Sequence, residues 1–456
     1  MTSKPSASLD NVHAADSNAL GSGLGGRDDP HAIGMPATAH SRRRHFLNFA
    51  ALVAAFMVFA SLINSVGVIV LQSIRTLGIT KQQAGALEPF VDMPMAFSSL
   101  VIGAVLPSLG LRRAMLTALV FSVAACLAMP LLGQFWVSKM HLVIVGLSFA
   151  AAKVTVYTAI GMRTKNKKRH ASLMSIVEGL FMVGVLSGYW LFGTFSGLGH
   201  GHWLDTYWVF AVLLSVTLIV FCMNPIPEQQ PTHTSEARPV NELSFLARLA
   251  LKPLILAYAV SDFLYVLLEQ AIGAWLPTFN SEVLHLPTSI SIEVAGGFSL
   301  CLAAGGLLGG IVLRRFTWLS VLFLCLAGVG SVVILGLPLA IHSVARNVHT
   351  LRDVPAIAFL FPAAGLFLGP INPAINSAVL SSLSIEHQSA MAGLIIVFSS
   401  IGGTAGALVT GSLFQARGAN AFYFLLVPII LLCGMLWVFK RSIDAGPELR
   451  HVAQNT

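Results

Sequence analysis

Long apolar stretches recur along the chain and are separated by short polar segments. A helix that crosses a bilayer needs about 20 mainly apolar residues. Counting stretches of that length predicts an all-α membrane protein with twelve transmembrane helices. The first six lie at about 46–72, 83–108, 113–133, 140–162, 171–195 and 205–223, and the second six at about 252–278, 291–313, 317–337, 354–380, 388–413 and 419–439.

The longest polar segment between two predicted helices lies near the middle of the chain and contains four prolines. It divides the chain into two halves of six helices. We expect a disordered cytoplasmic tail over 1–45, an N-terminal six-helix bundle over 46–223 and a cytoplasmic linker over 224–251. A C-terminal six-helix bundle over 252–440 and a second cytoplasmic tail over 441–456 follow. The first tail is rich in Gly, Ser, Ala and His, a composition typical of disorder.

The composition supports lipid as the surrounding solvent. Hydrophobic residues make up 55% of the chain and charged residues only 10%, with a mean hydropathy of +0.79, whereas a soluble domain has about 25% charged residues. The net charge of +8 does not indicate a nucleic-acid partner, because the basic residues lie in short loops between apolar stretches. The lipid bilayer is therefore the expected partner.

The basic residues also predict the orientation, because Lys and Arg favour the cytoplasmic side of membrane proteins. With a cytoplasmic N-terminus they favour that side by about three to one, and the groups at 42–44 and 163–169 both fall there. The sequence therefore predicts a multi-pass protein of the cell (inner) membrane with both termini in the cytoplasm.

The two halves repeat one another weakly. Segments 146–153 and 171–188 align with segments 365–372 and 390–406. Gly184 then matches Gly402, and Gly188 matches Gly406. We expect these glycines, together with Gly179 and Gly403, to serve helix packing, since small residues let membrane helices approach closely.

The loop after the second predicted helix carries a recognisable motif. It reads Gly103-Ala-Val-Leu-Pro107-Ser-Leu-Gly110-Leu-Arg112-Arg113 and resembles the loop signature of the major facilitator superfamily, with Pro107 at the acidic position. A shorter echo, Gly310-Ile-Val-Leu-Arg314-Arg315, follows the eighth predicted helix. The resemblance implies the major facilitator fold, with two halves that rock about a central site.

Other segments resemble the fucose–galactose–glucose proton symporter branch. They are Gly273-Ala-Trp275-Leu-Pro277, Gly365-Leu-Phe-Leu-Gly369-Pro370 and the run from Ala392 to Phe398 that precedes Gly402-Gly403. The branch implies a sugar-like solute taken up with a proton. This chain departs from it at Val66-Gly67, where the branch has Asn-Asp, and at Ala150, where the branch has an acidic residue.

Ionisable residues inside predicted helices are the first candidates for function, because an unpaired charge in a bilayer is costly and needs a partner or a water-filled cavity. Seven were selected: Glu88, Asp92, Lys153, Glu178, Asp262, Glu269 and Arg352. Four of them are predicted to take part in proton coupling, namely Glu178, Asp262, Glu269 and Asp92. For Glu88, contact with interfacial water is the alternative.

Lys153 and Glu178 lie at the same predicted depth, about 12–14 Å from the cytoplasmic ends of consecutive helices at 1.5 Å rise per residue. Consecutive antiparallel helices usually pack together, so we predict an ion pair between them. Its function would be a proton-sensitive switch, since protonation of Glu178 would break the pair. A static pair that fixes helix packing is the alternative.

Polar stripes in other helices predict substrate contacts. Asp262, Tyr265 and Glu269 share one face of the seventh predicted helix, and the repeat places two asparagines of the tenth opposite Lys153 and Tyr157. The predicted substrate-binding residues are Asn64, Lys153, Tyr157, Tyr265, Gln270, Asn372 and Asn376. Ordinary hydrogen bonds between helices are the alternative.

Together these features predict a secondary active transporter that works by alternating access, is coupled to protons and moves a small polar solute, a sugar-like one first. The alternatives are a proton-driven exporter of drug-like or siderophore-like solutes and a non-transporting receptor on the same fold. No metal cluster, nucleophile triad or phosphate-binding loop is recognisable in the sequence. We therefore expect no cofactor and no enzymatic activity, and a monomer.

Overall fold

The structure is a computed structural model that describes residues 39–98, 111–163, 167–199, 202–223, 251–313, 315–343, 348–381 and 385–444. The chain divides into two units, Met1–Arg42 and Arg43–Thr456, and the contacts reported below belong to the second. Its described residues form helices and turns, with no β-strand among them. Most of the predicted N-terminal tail, linker and C-terminal tail lie outside the described residues, as do residues 99–110, which contain the end of the second predicted helix and most of the loop motif.

The N-terminal half contains eight described α-helices. They are α1 (Ala39–Ile63), α2 (Val66–Leu77), α3 (Lys81–Gly85), α4 (89–98), α5 (Leu111–Leu132), α6 (Phe135–Arg163), α7 (Lys167–Gly197) and α8 (Thr206–Met223). Helix α1 begins inside the segment predicted as a tail, where three consecutive arginines, which are good helix formers, extend it beyond the apolar stretch.

The first predicted transmembrane helix is broken into α1 and α2, which meet at an angle of 45°. At the break, the side-chain amide of Asn64 donates to the carbonyl of Ala60 at 2.9 Å, and the hydroxyl of Ser65 donates to the carbonyl of Leu62 at 2.7 Å. Such side chains compete for the carbonyls that would otherwise continue the helix. The predicted substrate residue Asn64 therefore lies at a hinge.

The C-terminal half contains nine described α-helices. They are α9 (Pro253–Gly273), α10 (Leu276–Glu282), α11 (Thr288–Val312), α12 (Trp318–Ser331), α13 (Leu337–His342), α14 (Leu360–Leu368), α15 (Ile371–Ser381), α16 (Ile385–Arg417) and α17 (Leu426–Asp444). A π-helical segment, Val332–Gly336, joins α12 to α13. Helix α16 ends at Gly418, whose φ of 56° is a conformation that glycine adopts without strain.

Nine helical stretches in the described part of the chain are long and apolar enough to cross a membrane, or ten if the bent pair α1 and α2 counts as one. One of the nine runs over residues 394–443 and includes both α16 and α17, which were predicted as two separate crossings. The second predicted crossing continues into residues that the structure does not describe. The predicted number of twelve therefore stays a prediction.

The outer surface of the helices suits a lipid environment. Large apolar side chains such as Trp190, Leu307, Leu324 and Ile430 are more than 60% exposed, which a soluble protein would cover. In contrast, the carboxyl groups of Glu88, Asp92 and Asp262 are buried inside the protein. This distribution, apolar outside and ionisable inside, is what a bilayer requires.

The predicted repeat of glycine contacts is confirmed in both halves. A Cβ added to Gly184 of α7 would lie 2.4 Å from the carbonyl oxygen of Met57 in α1, and one added to Gly402 of α16 would lie 2.5 Å from that of Phe263 in α9. Gly188 packs against Ser61, and Gly406 packs against Leu267, in the same way. The fifth predicted helix thus packs on the first as the eleventh packs on the seventh.

Candidate functional site

The candidate residues occupy four places in the fold. Lys153 and Tyr157 lie on α6 and Glu178 on α7, the acidic and tyrosine stripe lies on α9, the two asparagines lie on α15, and Glu88 and Asp92 lie at the start of α4.

Arg352 is different, because it lies exposed in a short 3-10 turn, Leu351–Asp353, outside the membrane-crossing helices. Hydrogen bonds from Thr350 and His349 organise this turn and lower the pKa of Asp353. The interpretation of Arg352 as an intramembrane charge is therefore wrong.

The predicted contact between Lys153 and Glu178 takes a different form in the structure. Glu178 Oε1 accepts a hydrogen bond from the hydroxyl of Tyr157, while no nitrogen–oxygen contact of 4.0 Å or less joins Lys153 to Glu178. Tyr157 lies one turn beyond Lys153 on the same helix face, and its longer, rigid side chain reaches the carboxylate first. Glu178 still acts on Lys153 electrostatically, so the three side chains form one group.

Aromatic rings surround this group. The ring centroids of Phe56 and Phe181 are 5.0 Å apart, and that of Phe149 lies 5.9 Å from each. The ammonium nitrogen of Lys153 lies 5.9 Å from the Phe149 ring centroid and 5.7 Å from that of Tyr157. These distances are within the range of cation–π attraction. The N-terminal half therefore presents one cation and one carboxylate beside an aromatic wall.

The C-terminal half presents a chain of polar side chains instead. The hydroxyl of Tyr258 donates to Asn376 Oδ1 at 2.5 Å, and the amide of Asn376 donates to Asn372. On the next turn of α9, Asp262 Oδ2 accepts from the hydroxyl of Ser399 at 2.7 Å. Hydrogen bonds between helices, the alternative raised for the asparagines, are therefore present, and both asparagines remain half-buried.

The α9 stripe is only partly accessible. Asp262 is fully buried, and its Oδ1 has no hydrogen-bond partner among the described residues. Tyr265 is also buried and interacts with the carboxylate of Glu269 one turn later. Glu269 itself is half-buried. Of the three stripe residues, Glu269 is therefore the most exposed to solvent in this conformation.

Glu88 and Asp92 lie where the two halves meet, and we call them the interface carboxylate pair. Glu88 Oε1 accepts from the side-chain amide of Gln270 on α9, and Asp92 Oδ2 lies 3.4 Å from the hydroxyl of Thr404 on α16. Glu88 is only 2% exposed, so the interpretation that it reaches interfacial water is wrong. Gln270, predicted to bind substrate, here binds the opposite half.

Further contacts between the halves lie at the same end of the molecule. Lys81 forms an ion pair with Glu282 at 2.7 Å, and the guanidinium of Arg75 donates to Ser281 and Thr288. We call this set the closed end. Gly179 lies earlier on α7 than Gly184, and no atom of a described neighbouring residue lies within 4 Å of a Cβ added there, so the expectation that Gly179 serves helix packing is wrong.

The Lys81–Glu282 pair offers a direct test of how the closed end is held. Exposed ion pairs contribute about 0–1 kcal/mol, and both side chains are partly exposed. We expect Lys81→Glu or Glu282→Lys alone to reduce closure up to about fivefold, and the double charge swap to restore it. The measurement is the distance distribution between spin labels at the exposed positions Gln82 and Pro287.

The labels require a background without the native cysteines, which must first be shown to retain its transport activity. If the charge swap were no better than either single variant, the pair would not hold the closed end.

Several residues of these groups were not selected from the sequence. Tyr258 precedes Asp262 by four residues and was detectable as part of the same helix face. Ser399 and Thr404 give no signal of their own, because a hydroxyl in an apolar helix is common. Gly403 was predicted as a packing glycine, without its contact with Asp92. The partners of the interface carboxylate pair come from helices that follow it by roughly 180 to 310 residues in sequence.

The fold and the buried ionisable side chains define a multi-span helical membrane protein whose halves meet at one end. Residues 47–350 match the sequence profile of the Major Facilitator Superfamily, and the chain belongs to that superfamily. It is therefore a membrane transporter protein by family, and the predicted all-α membrane fold is confirmed.

Named relatives refine this assignment. Over 400 residues the chain is 24% identical to the multidrug efflux pump Tap of Mycobacterium tuberculosis (strain ATCC 25618 / H37Rv), a match that covers 80% of this chain and 87% of the pump.

Among solved structures the chain is similar to the nucleoside transporter NupG, with a TM-score of 0.64 and 13% identity, covering 88% of this chain and 98% of that one. A bacterial homologue of the human lysosomal transporter Spinster, in an inward-facing and occupied conformation, gives a TM-score of 0.63 and 13% identity, with 88% and 97% coverage. At these identities the structural similarity establishes the fold alone, and the sugar symporter branch stays a prediction.

Proposed function

We propose that this chain is a proton-driven secondary transporter that exports amphipathic, drug-like solutes. The observation that carries the proposal is the composition of two groups, one in each half. One contains Lys153 and Glu178 beside an aromatic wall, and the other contains the hydrogen-bonded polar chain of α9 and α15. A solute with a flat apolar part and a polar or charged part would match both, whereas a sugar would leave the aromatic wall and the lysine unused.

The relatives support the same direction. The match to the multidrug efflux pump Tap covers most of both chains. The exporter that was an alternative on sequence grounds is therefore the better proposal, and sugar uptake is second.

The position of the contacts between the halves supports alternating access. The halves are joined at the closed end by the Arg75 and Lys81 contacts, and the predicted orientation places this end outside the cell. We infer a conformation that faces the cytoplasm, in which the groups around Glu178 and Glu269 are half-buried. Separation of the closed end would expose the same groups to the other side.

We assign proton coupling to Glu178, Glu269 and Asp262, which are carboxylates inside membrane-crossing helices with no ion pair within 4.0 Å among the described residues. Glu178 and Glu269 are half-buried and Asp262 has one unpartnered oxygen. Carboxylates inside membrane helices are the usual proton relays of transporters. Competition between the proton and the solute for the same groups would couple their movements.

The decisive experiment uses the purified full chain in proteoliposomes. A flat cationic dye such as ethidium is offered in one arm and labelled glucose in the other. We expect the dye to accumulate when the lumen is acidic, to do so little when the outside is acidic, and to leave on addition of a protonophore. Glucose is expected not to accumulate under either gradient.

Each other outcome has a definite meaning. Glucose accumulation driven by an acidic exterior would replace the proposal with sugar symport. Saturable dye binding without accumulation under any gradient would indicate a receptor. Dye accumulation that ignores the pH gradient would remove proton coupling while leaving transport in place.

A further inference from the structure

The interface carboxylate pair is buried between the two halves with few hydrogen-bond donors. Glu88 and Asp92 lie one turn apart at the start of α4 and are 2% and 7% exposed. A Cβ on Gly403 would lie 2.6 Å from Asp92 Oδ2, so the carboxyl group is pressed against the backbone of α16. Burial of this kind excludes water from both carboxyl groups.

Neutral groups are the direct partners of the pair. Gln270 donates to one oxygen of Glu88, whereas Glu88 Oε2 has no hydrogen-bond partner among the described residues. Thr404 reaches Asp92 at 3.4 Å. Two ionised carboxylates with so few donors would repel each other, and removing each charge from water would cost several kcal/mol.

The charged and titratable groups on neighbouring helices do not neutralise the pair. Within the described residues, neither carboxyl group has a Lys, Arg or His nitrogen within 4.0 Å. Tyr189 on α7 is influenced by Glu88 electrostatically. The other titratable groups on neighbouring helices are Glu269 on α9, Lys139 and His141 on α6, Arg75 on α2 and Lys81 on α3.

Both lysines and the arginine among these groups are engaged elsewhere, whereas neither ring nitrogen of the buried His141 has a hydrogen-bond partner among the described residues. Lys139 lies over the rings of Phe90 and Phe135, at 5.3 and 4.7 Å from their centroids, and Lys81 pairs with Glu282. Arg75 donates to two hydroxyl groups.

We propose that Glu88 and Asp92 form a proton-binding site between the two halves, which is occupied while the closed end is shut and emptied when the halves separate there. The proton neutralises one carboxyl group. At Glu88 it binds Oε2, the oxygen that has no hydrogen-bond partner among the described residues. Separation of α4 from α9 and α16 admits water to the pair, both carboxylates then ionise, and the proton leaves to the newly opened side.

This site differs from the coupling groups of the proposed function. Its proton is held between the halves and returns to the side from which it came, so it sets the conformational equilibrium rather than driving transport. The inference rests on alternating access, which is part of the proposed function, but not on the solute or the direction. Because the closed state binds the additional proton, acid stabilises the closed end and its stability is lost as the pH rises.

Spin-label distances between Gln82 and Pro287 in the full chain, in lipid nanodiscs without solute, test the site. In the wild type we expect the ratio of closed to open molecules to fall as the pH rises from about 5.5 to 8.5, by at most about tenfold per pH unit for one linked proton. The double variant Glu88→Gln, Asp92→Asn mimics the protonated pair, so it is expected to stay closed throughout. Glu293→Gln, the same change at a half-buried glutamate on α11, is the matched control and should retain the wild-type response.

The outcomes separate this inference from the proposed function. A wild-type distance distribution that does not change with pH, or a double variant that keeps the wild-type pH response, would overturn the proton site even if dye transport is normal. Closure promoted by Na⁺ at constant pH would assign the pair to a metal cation instead. If the double variant does not fold, Glu88→Gln alone is used, and it is expected to weaken the pH response by removing the repulsion within the pair.

Discussion

Glu178→Gln is expected to abolish the accumulation of dye in proteoliposomes with an acidic lumen, while leaving the exchange of dye across the membrane without a gradient nearly intact. A glutamine still accepts the hydrogen bond from Tyr157, so the shape of the site is retained. It does not bind and release a proton. A difference of one pH unit is worth about 1.4 kcal/mol per coupled proton, which is enough for about tenfold accumulation of dye by the wild type. The variant should reach only equal dye concentrations on the two sides of the membrane.

The group around Glu178 supplies the control for this result. Lys153→Ala removes the cation that Glu178 influences, and is expected to impair transport. Adding Glu178→Ala should restore part of the exchange of dye without a gradient, although not its accumulation, because it removes the carboxylate left without a charge partner. Accumulation by Glu178→Gln at the wild-type rate would exclude Glu178 from proton coupling, and independent, additive losses in the double variant would argue against a coupled group.

Helix packing was predictable from the sequence because it depends on local composition. The glycines at 184 and 402 were aligned through the internal repeat, and the structure places each against a backbone carbonyl of the preceding neighbour helix. Small residues at matched positions of an apolar helix leave few other roles. The membrane class, for the same reason, followed from apolar length alone.

Side-chain contacts in the site were less predictable. Depth along consecutive helices placed Lys153 near Glu178, but it contained no information about which side chain of the α6 face would reach α7. Tyr157 does so in the structure. The bend between α1 and α2 was also missed, because the side chains of Asn64 and Ser65 cause it without a proline.

The contact between the halves was beyond sequence reasoning. Glu88 and Gln270 are joined across the long central linker, and periodicity describes each helix only by itself. Whether a carboxylate near a helix end reaches water or another helix depends on a surface that the remote half supplies. The burial of Glu88 therefore became visible only in the assembled fold.

Gly184→Ala is expected to destabilise the protein strongly, whereas Gly179→Ala on the same helix is expected to leave it unchanged or slightly more stable. Both changes add one methyl group and gain about 1 kcal/mol of helix propensity. At Gly184, however, the methyl group would lie 2.4 Å from a backbone oxygen of α1, and at Gly179 no described atom lies within 4 Å. Overpacking against a backbone typically costs about 1–3 kcal/mol or more.

The measurement is the midpoint of thermal unfolding in detergent, compared between the two variants and the wild type. Because Gly402 makes the corresponding contact with α9, Gly402→Ala should lower the midpoint as Gly184→Ala does. Equal midpoints for the variants at 179 and 184 would mean that α1 and α7 do not approach as closely as described. A lower midpoint for Gly184→Ala but not for Gly402→Ala would mean that the halves share a sequence repeat, but that the same glycine contact does not stabilise each of them.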